Sequence, residues 1–264
     1  MQKAHGSLTA AAALVYAVLG FGPPAAAAQD DPGQATLPPA RSATPDFFFS
    51  QPIGSISVRG GWVFARAGSD IFTFFSEQLT LDKGDFRAPG LAADLAIALS
   101  PRVDVVGGVE VARTRARSEY RGFVDNNRLP IEQTTSLSTF NLTGSIRYAL
   151  VPRGHAVGRL AWVPRRVVPY VGAGAGAAWY KLTQSGDFVD FVDLSVFPDF
   201  FQSTGWSPEA HGFAGVDLQI HRRLFATFEG RYVWSSATLG RDFVDFEPID
   251  LAGFRTSVGI SFAF

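Results

Sequence analysis

The chain contains no cysteine and only one methionine among its 264 residues. The absence of cysteine excludes disulfide crosslinks, thiolate metal sites and lipid attachment through an N-terminal cysteine. Charged residues are also few, at 18%, and the formal net charge of −1 argues against nucleic acid as a partner. Glycine (27 residues) and phenylalanine (24 residues) are abundant instead. This composition favours strands joined by tight turns.

Long apolar runs are absent after residue 28, so no membrane helix is expected in the rest of the chain. Residues 1–28 are typical of a secretory signal peptide. Lys3 precedes an apolar segment from Leu8 to Phe21, and the small residues Ala26–Ala28 precede the expected cleavage point. A membrane anchor is the alternative, but the segment is shorter than the ~20 residues that span a bilayer. We expect an exported protein that enters a membrane only through strands.

Residues 29–52 are rich in Pro, Ala, Asp and Thr and show no hydrophobic period. They predict a flexible periplasmic N-terminal segment. Asp46–Phe49 is more apolar than a linker requires, and packing at the mouth of the following domain would explain it. Residues 53–264 form that domain.

Eight segments of the domain alternate apolar and polar side chains with the period of two that strands show. They cover about 55–66, 90–99, 103–114, 136–150, 167–181, 208–220, 224–236 and 251–264. Short and long connections alternate between them, as in a bacterial barrel with short periplasmic turns and long extracellular loops. The exception is the long turn 151–166, where a short helix would fit. We predict an all-β fold, a closed antiparallel transmembrane β-barrel of eight strands. A ten-stranded barrel, with 186–197 in an extra hairpin, is the alternative.

One face of these segments is apolar and suits lipid, whereas the opposite face carries four basic and four acidic residues. Charges that point into hydrocarbon cost ~2–4 kcal/mol for Arg or Lys at the midplane, so this face belongs in the lumen. Ion pairing is required there, because an unpaired buried charge is very costly. The predicted lumen charge network comprises Arg59, Asp94, Glu110, Arg147, Asp217, Glu229, Arg231 and Arg255. A charge plug that stabilises the barrel and a gated polar conduit both fit this pattern.

The segment Pro169–Tyr180 places Gly172, Gly174 and Gly176 on the inward face, where they would leave room for long side chains from facing strands. Its Pro-Tyr-Val-Gly-Ala-Gly start resembles a recurrent strand of the small outer-membrane β-barrel superfamily that includes the OmpA transmembrane domain, OmpX and OmpW. The final strand, which closes on Phe264, resembles the ending of outer-membrane barrels. The resemblance covers about 53–264. Since no peptidoglycan-binding domain follows Phe264 in this sequence, we do not expect full-length OmpA to be the match.

This resemblance implies an outer-membrane location with both termini in the periplasm. It also implies contact with outer-membrane lipid or lipopolysaccharide, and recognition of the Phe264 strand by the barrel-assembly machinery. Aromatic side chains should anchor the barrel at both membrane interfaces. The predicted girdle comprises Trp62, Trp179, Trp206, Trp234, Tyr148, Phe225 and Phe264.

Two outer loops share the sequence Asp-Phe-Val-Asp-Phe, at 187–191 and at 242–246. Exposed aromatics that alternate with acids are unusual in solvated loops. Loop packing above the membrane is one explanation. The others are an extracellular partner, a cation that bridges lipopolysaccharide, and an apolar solute. The residues concerned are Asp187, Phe188, Asp190, Phe191, Asp242, Phe243, Asp245 and Phe246.

Catalysis has little support in the sequence, since after the signal peptide only His155, His211 and His221 remain. His211, near Glu209, is the one placed for lipid-facing chemistry, but no serine is paired with it in a recognisable motif. We therefore expect no enzyme, no cofactor and no metal. The primary hypothesis is a structural or surface-interaction barrel with a charge-plugged lumen. The alternative is a narrow channel or conduit for small or hydrophobic solutes, as the OmpW resemblance implies, and a lipid-modifying enzyme is a remote third.

Overall fold

The computed structural model describes residues 48–125, 127–158 and 161–264. The predicted signal peptide, and the predicted N-terminal segment up to residue 47, lie outside the described residues. The elements, in chain order, are β1 (Gly54–Ala65), α1 (Asp70–Gln78), a 3-10 helix (Lys83–Phe86), β2 (Ala88–Ala98), β3 (Val103–Val124), β4 (Pro130–Ala149), β5 (Gly154–Val157), β6 (Ala161–Pro164), β7 (Val167–Val189), β8 (Val196–His221), β9 (Leu224–Ala237), a 3-10 helix (Arg241–Phe243), β10 (Ile249–Asp250) and β11 (Gly253–Ala263).

Eight of these strands form a ring in the order β1-β2-β3-β4-β7-β8-β9-β11, and β11 pairs with β1. Every pairing in the ring is antiparallel. The predicted eight-stranded all-β barrel is confirmed. The ten-stranded alternative is wrong, because residues 186–197 complete the hairpin of β7 and β8 and add no strand to the ring.

The barrel has a terminus end, where β1 begins and β11 ends, and a loop end, where the long connections lie. Four strands reach further toward the loop end than predicted: β3, β4, β7 and β8 have 22, 20, 23 and 26 residues. The sequence underestimates them because the outward positions become polar there while the inward positions mix apolar and polar side chains, so the apolar-polar alternation fades although backbone pairing continues.

The outer surface carries an apolar belt. Leu142 and Ile146 are 53% and 61% exposed, and the inward residues between and beside them are largely buried. A soluble barrel would leave this much apolar surface in water at a large cost, whereas a bilayer makes it favourable.

No helix in the described part of the chain is both long and apolar enough to cross a membrane.

The turn 151–166 forms a small hairpin of β5 and β6 rather than the short helix that the sequence would have accommodated. Pro152 and Pro164 flank the segment and limit helix formation, and Val157 and Val163 are β-branched. Gly158 begins the turn with a φ of +65°, which glycine adopts without a steric cost.

A second apolar core lies at the loop end, inside the extended strands. Helix α1 contributes Ile71, Phe72 and Phe75, all at most 1% exposed, on one face. They pack with inward residues of the ring strands and with the connections that precede β2 and follow β9. We call this cluster the loop-end core; its other large members are Leu79, Leu81, Phe86, Tyr120, Ile131, Leu137, Tyr180, Leu182, Val189, Phe243 and Ile249.

We predict that Phe75→Ala loosens the loop-end core but leaves the membrane-spanning ring assembled. Truncating a buried phenylalanine costs ~3–5 kcal/mol, and here that cost falls on the loop end. Limited proteolysis of the refolded protein should cut the 67–87 connection faster, while heat-modifiable gel migration stays unchanged. Thr73→Ala, on the exposed face of the same helix, is the control. Equal cleavage rates for Phe75→Ala and the control would contradict the packing described.

Candidate functional site: the barrel interior

The middle of the lumen is held by one arginine shared between two carboxylates. Arg59 forms ion pairs with Asp94 and with Glu229, the latter at 2.5 Å, and its side chain is 4% exposed. Arg231 binds the same Glu229 carboxylate at 3.0 Å. The Tyr170 hydroxyl donates to the other Glu229 oxygen at 3.1 Å. Every charge in this group has a partner, as burial in an eight-stranded barrel requires.

A second group closes the lumen toward the terminus end. Arg147 binds Asp104 at 2.7 Å and approaches Asp217 at 3.5 Å, so it bridges carboxylates from β3 and β8. Arg153, from the turn before β5, reaches the other oxygen of Asp104 at 2.6 Å. Partial burial lowers the pKa of the Arg153 guanidinium below its ordinary value, and Asp104 acts in the opposite direction. The Arg147 guanidinium also lies 5.1 Å from the centre of the Tyr170 ring.

The loop-end side of the charged zone contains the Glu110–Arg255 pair, at 2.6 Å, and a group of polar side chains around Glu209. Asn141 donates to Glu209. His211 places Nδ1 3.4 Å from Glu209 and Nε2 2.8 Å from the Ser145 hydroxyl. Ser145 lies on β4 and His211 on β8, with β7 between them.

The glycines of β7 make this contact across a strand geometrically feasible. A Cβ atom at Gly174 would lie 2.6 Å from Ser145 Oγ and 2.7 Å from His211 Nε2. At Gly172 it would lie 2.3 Å from the Phe213 ring. At Gly176 it would lie 2.1 Å from the Leu142 carbonyl oxygen. Side chains of β4 and β8 therefore occupy the space in front of β7.

The structure places all eight residues of the predicted charge network inside the ring, and each takes part in an ion pair. The sequence reasoning missed four further participants: Asp104, Arg153, Glu209 and His211. Asp104 shares strand parity with Glu110, and Glu209 and His211 share it with Asp217, so alternation alone would have found these three. Nothing in the sequence signalled Arg153, which lies in a turn.

The expectation that His211 is placed for lipid-facing chemistry is wrong. It is 2% exposed and points into the lumen, because it stands an even number of residues from the inward Asp217. Serine, histidine and glutamate do converge there in the order of a hydrolase triad. However, Ser145 and Glu209 are also buried, at 7% and 3%, so a lipid at the outer surface does not reach them.

The terminus end of the lumen is covered by an aromatic cluster, which we call the terminus-end seal: Phe48, Trp162, Phe225 and Ala263. Phe48 and Trp162 exchange two backbone hydrogen bonds, of 2.8 and 2.9 Å, and their ring centroids are 5.6 Å apart. Phe48 thus packs at the barrel mouth, as one reading of Asp46–Phe49 anticipated. Phe225, expected in the aromatic girdle, instead points inward on the parity of Thr227 and contacts this cluster.

The remaining girdle residues lie on the outer surface. Trp62, Trp206 and Trp234 are more than half exposed, and Trp179 is partly exposed beside Trp206 in the strand pairing. Tyr148 and Phe264, 42% and 36% exposed, lie near the terminus end. Tryptophan and tyrosine are the side chains that favour membrane interfaces.

The two Asp-Phe-Val-Asp-Phe segments meet through their first phenylalanines. Phe188 and Phe243 are both 5% exposed and both contact Phe201, with ring centroids 4.5 and 6.3 Å away. Phe246 packs on Phe74 of α1 at 5.5 Å. These aromatics therefore belong to, or pack against, the loop-end structure.

Two of the four acids of these segments accept hydrogen bonds from backbone amides. Asp190 accepts a hydrogen bond from the Val192 amide, and Asp242 accepts one from the Gln202 amide, each at 2.8 Å. Asp187 and Asp245 are exposed. Within the described residues no three carboxylates or histidines converge as metal ligands would. Phe191 is the aromatic of the two segments that stays largely open, at 52% exposed.

Fold and interior together define an eight-stranded antiparallel β-barrel with an apolar exterior and a charged, side-chain-filled lumen. No protein-family model matches the chain, and the comparison with curated proteins finds no match.

Solved structures similar to this chain include small outer-membrane barrels. The outer membrane protein OprG from Pseudomonas aeruginosa is 13% identical with a TM-score of 0.46, over 82% of this chain and 99% of that one. Neisserial surface protein A is 14% identical with a TM-score of 0.41, over 80% and 99%. Ail, the attachment invasion locus protein of Yersinia pestis, is 15% identical with a TM-score of 0.40, over 80% and 99%. The eight-stranded ring itself is established by this chain's own strand pairing.

We predict that Gly174→Ala destabilises the folded barrel by ~1–3 kcal/mol, the usual cost of overpacking. The new methyl group would displace Ser145 and His211. Gly144→Ala is a matched control on the adjacent strand, because nothing lies within 4 Å of a Cβ there. Urea unfolding in micelles should show a lower midpoint for Gly174→Ala alone. Equal midpoints for both variants would show that the lumen has room in front of β7.

We also predict that Glu110→Leu destabilises the barrel by ~3–5 kcal/mol, because Arg255 is left buried without its partner. Adding Arg255→Met should restore much of the loss, since the pair is then replaced by apolar groups. Urea unfolding of the single and double variants measures this coupling. Arg165→Met, at an exposed arginine, is the control and should change little. Additive losses in the double variant would contradict a direct Glu110–Arg255 pair.

Proposed function

We propose that this chain is an outer-membrane β-barrel with a structural or surface-interaction role and an occluded lumen. Its termini would lie in the periplasm and its loop end outside the cell. The short connections at the terminus end and the long strands at the loop end support this orientation. The observation that carries the proposal is that the interior is filled at three successive levels.

These levels are the terminus-end seal, the charged zone and the loop-end core. Cavities along the interior measure about 60, 20, 20 and 30 Å³. A site for a small molecule usually needs ~300–1,000 Å³, so these spaces suit a few waters each rather than a solute. The arginines and carboxylates of the charged zone form ion pairs across the lumen, which favours a plug over a conduit.

The same burial favours a non-catalytic barrel over a lipid-modifying enzyme. Ser145, His211 and Glu209 are all buried inside the ring. Their hydrogen bonds join β4 to β8 across the glycines of β7 and so stabilise the barrel.

A surface role is supported by the tips of the two long hairpins. Phe191, at the β7–β8 tip, contacts Phe123 and Tyr120 of the β3–β4 hairpin, with ring centroids 5.9 and 6.3 Å away. Val192 and Leu194 beside it are 94% and 62% exposed. Apolar residues grouped at an exposed tip are typical of a surface that contacts a partner.

We predict that the refolded protein is electrically silent in a planar bilayer, because all three levels block the lumen. Heat-modifiable gel migration is the folding control. Steady openings that change in Arg255→Ala would support the alternative, a narrow conduit through the charged zone. Silence from unfolded protein would not count, which is why the folding control accompanies each recording.

A further inference from the structure

The outward face of β3 changes its chemistry abruptly above the apolar belt. Val111 is the last apolar outward residue, and the next three outward positions are Arg113, Arg115 and Arg117, all exposed. Successive side chains on one face of a strand stand ~7 Å apart. The three arginine side chains are therefore evenly spaced along one line that leads away from the apolar belt.

The strand pairing extends this line into a patch across four strands. Arg113, Ser138, Lys181 and Thr204 form one row of paired residues. The row above it begins with Arg115 and continues with Ser136, Thr183 and Gln202. The third row begins with Arg117 and continues with Thr134, Ser185 and Phe200. We call these twelve positions the basic patch. It contains three arginines and one lysine, six serines or threonines, one glutamine, one phenylalanine and no acid.

The row immediately below fixes the depth of the basic patch in the membrane. It comprises Val111, Phe140, Trp179 and Trp206. Phe140 and Trp206 lie edge to face with ring centroids 6.3 Å apart. Because tryptophan concentrates at the headgroup level, the basic patch lies directly above the acyl chains, among the headgroups.

The cations of the basic patch are not neutralised within the protein. No ion pair or side-chain hydrogen bond joins Arg113, Arg115, Arg117 or Lys181 to another described residue. Elsewhere in this barrel the arginines on the lumen face are paired with carboxylates. Arginine presents a planar fork of donors that suits phosphate oxygens, and hydroxyl and amide groups suit a sugar.

We propose that the basic patch binds a phosphorylated glycolipid of the outer leaflet, with its phosphates on the arginines and Lys181 and its acyl chains on the aromatic row below. The inference rests on the proposed function, since it requires the loop end to face the outer leaflet. Four unpaired cations at the level of the lipid headgroups match a headgroup that carries more than one phosphate.

The test is native mass spectrometry of the refolded barrel in a non-ionic detergent, titrated with diphosphoryl lipid A. The patch variant combines Arg113→Ser, Arg115→Ser and Arg117→Ser. The matched control combines Arg102→Ser, Arg165→Ser and Arg166→Ser, three exposed arginines at the terminus end. We expect the patch variant to bind at least roughly tenfold more weakly, because losing a single hydrogen bond to a charged group already costs about that factor. The control should bind like the unmodified protein.

A variant with lysine at the same three positions keeps the charge but loses the planar guanidinium donors. Its affinity for diphosphoryl lipid A should fall between those of the patch variant and the unmodified protein. Equal weakening in the patch variant and the terminus-end control would overturn the proposal, because binding would then follow net charge. Equally tight binding of sucrose octasulfate, a polyanion without acyl chains, would overturn it in favour of a soluble polyanionic saccharide. Insertion of the unmodified protein into phosphatidylcholine vesicles is measured separately, by heat-modifiable gel migration. Failure to insert would contradict the proposed outer-membrane location, not the lipid site alone.

Discussion

An eight-stranded ring is only wide enough for its own inward side chains, and this width determines which side chains its interior can hold. Any charge placed there must find its partner within the ring, since water is largely excluded. Arg59 meets this demand by serving Asp94 and Glu229 together, and Arg147 by bridging Asp104 and Asp217. The apolar exterior follows from the same alternation, because each inward charge places its two chain neighbours on the lipid face.

Filling a narrow lumen also requires space, which the glycines of β7 supply. With no side chains at Gly172 and Gly174, the Phe213 ring and the Ser145–His211 contact occupy the region in front of that strand. Beyond the bilayer the same strands continue, and there the lumen is filled by apolar groups of α1 instead of ion pairs. The interior therefore changes from ion pairs in the charged zone to apolar packing in the loop-end core.

Alternation in the sequence was sufficient to predict the eight strands, the apolar exterior and the sidedness of the inward residues, since the period of two is a local property. It was insufficient where contacts are made between distant segments. The pairing of Phe48 with Trp162 and the meeting of Phe188 and Phe243 on Phe201 depend on the closed ring. His211 was misplaced because it was judged by its position along the strand and not by its parity with Asp217. The loop-end extension of β3 was missed because, beyond residue 114, Arg115 and Arg117 alternate with Ala116 and Ser118, so the apolar-polar signal is weak.

The central claim, that the lumen is filled and closed to solutes, is tested most directly by thiol accessibility, because the chain has no cysteine of its own. Ser145→Cys and Ser207→Cys would place single thiols at buried inward positions, and Ser195→Cys would place one on the exposed β7–β8 turn. Reaction with a small charged methanethiosulfonate would be followed by mass spectrometry in folded and urea-unfolded protein. A filled lumen should give rapid labelling at position 195 and negligible labelling at 145 and 207 until the barrel unfolds. Labelling of folded Ser145→Cys at the rate of the exposed control would contradict it and show an open aqueous lumen.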